Sequence, residues 1–334
     1  MKKNIAIIAG GDSSEYEVSL RSAATLYSLM DKERYDVRVL RMRGAKWNVY
    51  LGEAMDRLAL DEVMDWIAVD KNDFSFCQQG KKIRFDFAYI TIHGTPGENG
   101  LLQGYLDIMG IPYSCCGVLA AALTFNKYVC NHYLQNMGIA ISPSILLRRG
   151  AVRPTDEEVV AQIGLPCFIK SNVGGSSFGC TKVKTVEEVA PAIARAFQEG
   201  DEVICEAFMK GVEITCGVYR TGERATVLPI TEVVSKNEFF DYDAKYKGES
   251  DEITPARIPD AVRDAVQAMT LRIYDLLGCR GIVRIDYILT EGWKINLLEV
   301  NTTPGMTATS FIPQQVRAAG LDMTEVLTDI IENA

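Results

Sequence analysis

The residues with the clearest potential for chemistry lie in a hairpin near the end of the chain. Arg284 and Asp286 alternate along one apolar segment, and Glu299 and Asn301 alternate along the next. Alternation places each pair on one face of its strand, and a turn near Glu291 brings the two faces together. Carboxylates that lie close together repel each other unless a cation lies between them. Oxygen ligands suit Mg²⁺, which binds few protein carboxylates and prefers phosphate oxygens as further ligands. The pattern indicates a magnesium site, with a solvated polar hairpin face as the alternative.

Two lysines are candidates for binding phosphate. Lys170 ends a strand and precedes the turn Gly174-Gly175-Ser176-Ser177, whose backbone N–H groups could cradle a phosphate beside the ammonium. The turn is not a P-loop, because Cys180 stands where the lysine would follow the second glycine. Lys127 is a second candidate. Taken alone, a flexible surface turn and solvated lysines explain these residues at least as well.

Two further candidates follow strands in the first third of the chain. His93 directly follows the strand that begins at Phe85, and Glu15 follows Gly10-Gly11 at the end of the first strand. Ligands bind beyond the carboxyl ends of such parallel strands, and a helix N-terminus there attracts carboxylate or phosphate groups. For either element alone, a structural turn is the commoner explanation.

The elements that must position these residues fall into three segments. Apolar runs at Ile5–Ala9, Tyr35–Leu40 and Phe85–Ile92 predict strands that alternate with helices, the first helix capped by Asp12, Ser13 or Ser14. This order predicts an α/β class, with a doubly wound parallel sheet for residues 1–122. Residues 44–82 resist assignment.

The rest of the chain has a different pattern. Strands ending at Lys170 and Glu206, with a helix over 187–199, predict an antiparallel α+β lobe for residues 123–209. Residues 210–334 contain the carboxylate hairpin and a helix that ends at Gly278. Residues 235–253 form a polar, aromatic segment without a regular period, which predicts a mobile functional loop.

Composition restricts the class of protein. The chain has 334 residues, enough for two or three domains, with 35 Lys and Arg against 44 Asp and Glu and a net charge of −9. This balance argues against a nucleic-acid or membrane-surface binder, and no apolar stretch approaches the ~20 residues that span a bilayer. Nine cysteines without a Cys-x-x-Cys pair predict reduced, mostly buried thiols in a cytoplasmic protein.

Taken in order, these pieces resemble the D-alanine–D-alanine ligases of the ATP-grasp superfamily. The resemblance covers nearly the whole chain and rests on six motifs: Gly10 to Leu20, His93 to Gly100, Lys170 to Gly179, Phe240 to Tyr246, Arg284 to Asp286, and Leu298 to Thr307. It implies three domains, with ATP held between the central and carboxyl-terminal lobes. Many relatives have Lys-Pro-Ser and then Arg-Glu before their Gly-Ser-Ser, whereas this chain has Lys170-Ser171-Asn172-Val173-Gly174.

The resemblance also implies roles for individual residues. Two Mg²⁺ ions, or Mn²⁺ in their place, would be held by Asp286, Glu299 and Asn301. ATP would be bound by Lys127, Lys170 and Lys245 at the phosphates, by Glu206, Phe208 and Met209 at the adenine, and by Glu213 at the ribose. The first D-alanine would be oriented by Glu15 with His93 nearby, and the second carboxylate would lie at Ser310 and Phe311. Arg284 and the backbone of Gly305 would stabilise the oxyanion, while Ser176 and Tyr246 would tie the loop over the substrates.

The implied reaction forms D-alanyl-D-alanine for cell-wall precursors. ATP converts the first D-alanine to an acyl phosphate, which the amine of the second attacks, and neither step uses a cysteine. A homodimer is usual in the family. The alternatives are a ligase that makes a depsipeptide or mixed dipeptide and a non-catalytic nucleotide-binding protein. Arg284 argues against the latter, because a pure binder has no use for an oxyanion group.

Overall fold

The computed structural model describes residues 2–59, 65–175, 179–235 and 250–334. Its first sheet has the strand order β4-β3-β2-β1-β7. The strands of this part of the chain are β1 (Lys3–Gly10), β2 (Tyr35–Arg43), β3 (Lys46–Tyr50), β4 (Trp66–Ala68), β5 (Ser75–Gln78), β6 (Lys81–Arg84) and β7 (Phe87–Ile90). The helices are α1 (Tyr16–Leu29), α2 (Leu101–Met109) and α3 (Val118–Phe125).

The centre of this sheet is parallel and covered on both faces. Strand β1 pairs in parallel with β2 and β7. Alternation divides β1 between two cores, with Ile7 in the cluster that contains Leu26 of α1 and Ile8 in the cluster that contains Leu106 of α2. The doubly wound arrangement predicted from the sequence is therefore confirmed.

Residues 44–82, which the sequence left unassigned, extend the sheet with antiparallel strands. Strand β3 pairs with β2 and β4 pairs with β3, whereas β5 and β6 form a separate hairpin. Gly44 makes the tight β2–β3 connection at φ +52°, a conformation that favours glycine. The sheet is thus parallel only at its centre.

The second sheet is antiparallel, as predicted, with the order β10-β9-β11-β8. Its strands are β8 (Ser144–Arg148), β9 (Cys167–Ser171), β10 (Thr181–Val183) and β11 (Glu202–Ala207). The accompanying helices are α4 (Lys127–Asn136), α5 (Asp156–Ile163) and α6 (Val189–Ala196). The helix predicted over 187–199 is shorter because a 3₁₀ turn, Val186–Glu188, precedes it and Phe197 ends it.

The third sheet contains the carboxylate hairpin and has the order β15-β14-β12-β16-β17, with β13 beside β12. Its strands are β12 (Val212–Thr221), β13 (Arg224–Val227), β14 (Thr231–Ser235), β15 (Ser250–Ile253), β16 (Val283–Thr290) and β17 (Lys294–Asn301). The helices are α7 (Asp260–Leu276), α8 (Phe311–Ala318) and α9 (Met323–Asn333). Residues 250–253 of the predicted loop are strand rather than loop, because β15 pairs with β14.

The three segments pack through shared cores. Val316 of α8 and Ile330 of α9 belong to the same cluster as Ile7 in the first sheet. Leu134 of α4 belongs to the core behind the third sheet, together with Ile285. Contacts between distant parts of the chain therefore fix how the sheets face one another, and the division at residues 122 and 209 stays a prediction.

All nine cysteines are free, and all except Cys77 and Cys180 are buried, which confirms the prediction of mostly buried thiols. None of the described helices is both long enough and apolar enough to cross a membrane.

Candidate active site

A cavity of about 740 Å³ lies where the three sheets face one another. Its lining includes eleven of the residues predicted from the sequence: Glu15, Lys127, Lys170, Glu206, Phe208, Met209, Glu213, Arg284, Asp286, Glu299 and Phe311. Ser176, Lys245 and Tyr246 lie outside the described residues. The other four, His93, Asn301, Gly305 and Ser310, are not among the lining residues, although Asn301 lines a smaller pocket together with Lys127 and Glu299.

The carboxylate hairpin brings the two polar pairs together, as predicted. Arg284 lies opposite Asn301 and Asp286 lies opposite Glu299, with a register shift directly after Asp286. Asp286 is only 7% exposed, which excludes a solvated hairpin face at this residue.

Asp286 accepts hydrogen bonds from three side chains. Arg284 donates from Nε and Nη2 at 2.9 Å each, and Asn301 donates from Nδ2 at 3.1 Å. Thr215 of β12 donates from Oγ1 at 2.5 Å. Because a carboxylate offers about four lone-pair sites, a metal ion at Asp286 would displace at least one of these donors.

The two lysines enter the cavity from different elements. Lys170 of β9 forms an ion pair with Glu206 at 2.6 Å, and both side chains are largely buried. Burial lowers the pKa of Lys170, but the attraction of Glu206 and Glu299 outweighs it and raises that pKa above its ordinary value. Lys127, the first residue of α4, donates to the carbonyl oxygen of Gly174 at 2.5 Å and lies 3.8 Å from Glu299. Neither lysine is a solvated surface residue.

Glu15 reaches the cavity from the start of α1. The predicted cap by Asp12, Ser13 or Ser14 is wrong, because Glu15 itself precedes the helix. The hydroxyl of Ser13 instead accepts from Glu15 N and donates to His93 O, which joins this turn to the end of β7. A Cβ at Gly175 would lie 2.5 Å from Oε2 of Glu15, so the turn after β9 lies directly against this carboxylate.

His93 itself is buried behind this turn. Its Nε2 has no hydrogen-bond partner within the part of the chain that the structure describes. A buried nitrogen without a partner is uncommon in proteins, which favours a ligand or water at this place. Glu98 lies nearby, where burial raises the pKa of its carboxyl although the attraction of His93 opposes that rise.

One end of the cavity combines apolar surfaces with a carboxylate. The rings of Phe168 and Phe208 lie 6.0 Å apart, and the ammonium of Lys182 lies 4.3 Å above Phe208. Met209 follows Phe208, and Glu213 enters the lining from β12. Such a wall suits a flat heterocycle that carries a hydroxylated group.

The loop before α8 closes the site near Arg284. The ring of Phe311 lies 5.3 Å from the Arg284 guanidinium. The hydroxyl of Ser310 accepts from Thr307 N at 3.1 Å. A Cβ at Gly305 would lie 2.9 Å from that hydroxyl oxygen. Gly305 and Ser310 are therefore packed against each other, while Phe311 faces the cavity.

Sequence reasoning missed two polar residues that support the site. Thr215 holds Asp286, and the fully buried Asn172 holds the start of α4. The signal for Thr215 is its place on the strand that pairs with β16, which becomes visible only once that pairing is known.

Comparisons with solved structures identify the class. The fold aligns over 99% of both chains with the D-Ala:D-Ser ligase VanG of Enterococcus faecalis, at a TM-score of 0.87 and 31% identity. It aligns over 99% of this chain and 98% of the other with D-alanyl-alanine synthetase A of Vibrio cholerae, at a TM-score of 0.85 and 29% identity. The protein has the ATP-grasp fold of these ligases.

Sequence comparisons then give the family. Residues 4–116 match the family described as D-ala D-ala ligase N-terminus, and residues 133–332 match the D-ala D-ala ligase C-terminus. The D-alanine–D-alanine ligase of Phocaeicola vulgatus is 63% identical over 333 residues, which cover 100% of this chain and 99% of the relative. The chain belongs to the D-alanine–D-alanine ligase family, a family of ATP-dependent ligases.

Proposed function

We propose that this protein joins two molecules of D-alanine to D-alanyl-D-alanine and converts ATP to ADP and phosphate. The observation that carries the proposal is one cavity that combines a paired Asp286 and Glu299, two inward lysines and Arg284. Similarity over the full length to a D-alanine–D-alanine ligase supports the choice of substrate. The product would supply peptidoglycan precursors.

The nucleotide would lie between the second and third sheets. Its phosphates would meet Lys127, Lys170 and Lys245, its base the apolar wall at Phe208 and Met209 beside Glu206, and its ribose Glu213. The apolar wall and the inward lysines support this orientation, because one end of the cavity suits a heterocycle and the other suits negative charge.

Two Mg²⁺ ions, or Mn²⁺ in their place, would be held by Asp286, Glu299 and Asn301. These donors are all oxygen atoms, and Asp286 and Glu299 face each other across paired strands, which fits a hard divalent cation. Among the described residues, no three His, Cys, Asp or Glu side chains converge to hold a metal by themselves. The phosphate oxygens would therefore complete the coordination. The metal would neutralise charge on the transferring phosphoryl group.

The remaining residues act on the amino acids. A carboxylate is a poor acyl donor, so transfer of the γ-phosphoryl group to the first D-alanine makes an acyl phosphate that the second amine can attack. Glu15 would hold the first ammonium, with His93 nearby, and Arg284 with the backbone of Gly305 would stabilise the oxyanion. Ser310 and Phe311 would lie at the second carboxylate, and Ser176 and Tyr246 would tie the loop over both substrates.

The test is ADP release with a panel of D-amino and D-hydroxy acids, with each product identified by mass. D-Alanyl-D-alanine as the main product supports the proposal, and ATP turnover without a dipeptide contradicts it. A mixed dipeptide is the second candidate, favoured by the structural similarity to a D-Ala:D-Ser ligase. D-Serine added beside D-alanine in equal amount distinguishes the two.

The protein would act in the cytoplasm as a homodimer, without nucleic-acid or membrane partners. Its nine free thiols suit a reducing compartment. Leu101, Ile108 and Leu119 are 64%, 81% and 79% exposed on α2 and α3, and such apolar side chains on adjacent helices favour self-association. Sedimentation equilibrium measures the oligomeric state directly.

A further inference from the structure

The start of helix α4, which carries Lys127, is held by a residue of another element. Lys127 N donates to the carbonyl oxygen of Asn172 at 3.2 Å, and Tyr128 N donates to its side-chain Oδ1 at 2.8 Å. The next N–H, that of Val129, donates to Oδ1 of Asn126 at 3.0 Å. The first N–H groups of a helix have no partner within it, so Asn172 acts as a cap supplied from the end of β9.

Asn172 is in turn fixed by Glu202 on β11. Asn172 N donates to Glu202 O at 2.9 Å, and its Nδ2 donates to Oε2 of the same residue at 2.7 Å. Asn126 Nδ2 donates to Oε2 at 3.1 Å, and Arg148 Nε donates to Oε1 at 2.8 Å. Burial raises the pKa of Glu202, but the hydrogen bonds from Asn172, Arg148 and Asn126 outweigh it and lower that pKa. The carboxylate thus serves as a charged anchor for the buried amide.

This network connects the two cavity lysines. Asn172 lies two residues after Lys170 on the same backbone segment, and it bonds directly to the backbone of Lys127. Asn172 is fully buried. The next residues, Val173 and Gly174, have no polar side chain that could form this hydrogen bond to the start of α4 instead. The Asn172 amide therefore joins the two segments that carry the ammonium groups, together with the backbone bond from Lys127 N to Asn172 O and the bond from Lys127 Nζ to Gly174 O.

We propose that Asn172 is a positioning residue for the nucleotide, which holds Lys127 and Lys170 so that both face one phosphate chain. The inference rests on the proposed function, because it takes both lysines as phosphate contacts. A purely structural cap would stabilise α4 without favouring one substrate over another. A positioning role instead affects ATP more than D-alanine.

The first experiment compares Asn172→Ala with the wild type and with Asn136→Ala. Asn136 lies at the other end of α4, is exposed, and donates to His132 O at 3.0 Å, so its substitution is a matched control. Calorimetry with MgATP alone should show Kd raised about tenfold in Asn172→Ala, because buried partners lose their hydrogen bonds. The KM for D-alanine should change by less than about twofold. A lower Tm with unchanged ATP affinity, or equal losses for both substrates, would overturn the proposal.

Asn172→Asp provides a second readout that keeps the shape of the side chain. The introduced carboxyl still accepts from Tyr128 N but faces the Glu202 carboxylate, so the pKa of one of the two groups is raised strongly. As pH falls from about 8 to about 6, one group binds a proton and can donate to the other. The ATP affinity of Asn172→Asp relative to wild type should therefore recover at low pH, whereas that of Asn172→Ala should not.

Equal pH profiles for the two variants would contradict the positioning role. The proposed function fails separately, because wild-type protein that binds MgATP but forms no dipeptide refutes the activity and leaves these affinities measurable. Wild-type ligation with unchanged affinity in Asn172→Ala would refute only the positioning role.

Discussion

Replacing Lys170 by methionine tests whether this lysine stabilises the fold, binds phosphate, or does both. Its ammonium lies 2.6 Å from Glu206, with the two side chains 15% and 7% exposed. Methionine keeps the length of the side chain but leaves the Glu206 carboxylate buried without its cation. Breaking such a pair costs about 3 kcal/mol of unfolding free energy, at the low end for buried pairs because the cavity admits water.

The assay is urea unfolding of Lys170→Met, Glu206→Gln and the double variant, with MgATP affinity measured on each. The double variant should recover most of the lost stability, because no unpaired charge remains. It should not recover ATP affinity if Lys170 contacts phosphate. A Lys170→Met protein within about 0.5 kcal/mol of wild type would refute the stability argument. Full ATP affinity in the double variant would refute the phosphate contact.

Near neutral pH, these measurements do not depend on the titration of Lys170. The folded-state pKa of Lys170 lies above its ordinary value. As long as Glu206 is ionised, the ion pair therefore stabilises the protein fully below that ordinary value, about 10.4, and the stabilisation is lost as pH rises through the folded-state pKa. Near neutral pH, Lys170 is charged in both the folded and the unfolded protein.

Three further substitutions test other parts of the site. Glu15→Gln should raise the KM for D-alanine far more than the KM for ATP, whereas the exposed Glu17→Gln on the same helix should change neither. Thr215→Val removes the hydroxyl that donates to Asp286 and should weaken Mn²⁺ affinity in the presence of ATP about tenfold, while Thr215→Ser retains it; equal affinities in the two variants would contradict this role. Glu299→Gln should lower kcat by roughly a hundredfold or more with unchanged Tm, and full turnover at saturating ATP would exclude Glu299 as a metal ligand.

The features predicted correctly are those encoded by short stretches of sequence. Alternation along two neighbouring segments was enough to bring the pair Arg284 and Asp286 close to the pair Glu299 and Asn301, because an antiparallel hairpin joins strands that are adjacent in the chain. The continuous apolar run of β1 likewise indicated a strand covered on both faces, and α1 and α2 cover it. Local pattern determines which way a side chain points, but not which distant element it meets.

The features that sequence reasoning missed depend on contacts between elements that are far apart in the chain. Thr215 became recognisable as a support for Asp286 only through the pairing of β12 with β16. Asn172 looks like a turn residue in the sequence, yet it caps a helix that begins 45 positions earlier. The start of α1 was misplaced because the hydroxyl of Ser13 bonds to His93 O as well as to its own turn. In each case the hydrogen-bond partner lies on a different element.

The charges around the cavity support the proposal that the nucleotide binds together with divalent cations. Among the described lining residues, three are cationic, namely Lys127, Lys170 and Arg284. Eight are acidic: Asp12, Glu15, Glu199, Glu206, Glu213, Glu232, Asp286 and Glu299. Each of the three cations already faces a carboxylate: Lys170 lies at Glu206, Arg284 at Asp286 and Lys127 at Glu299. A triphosphate that entered alone would add negative charge to a surface that already has an excess of it. Under the proposed function, divalent ions held by Asp286 and Glu299 would offset this repulsion.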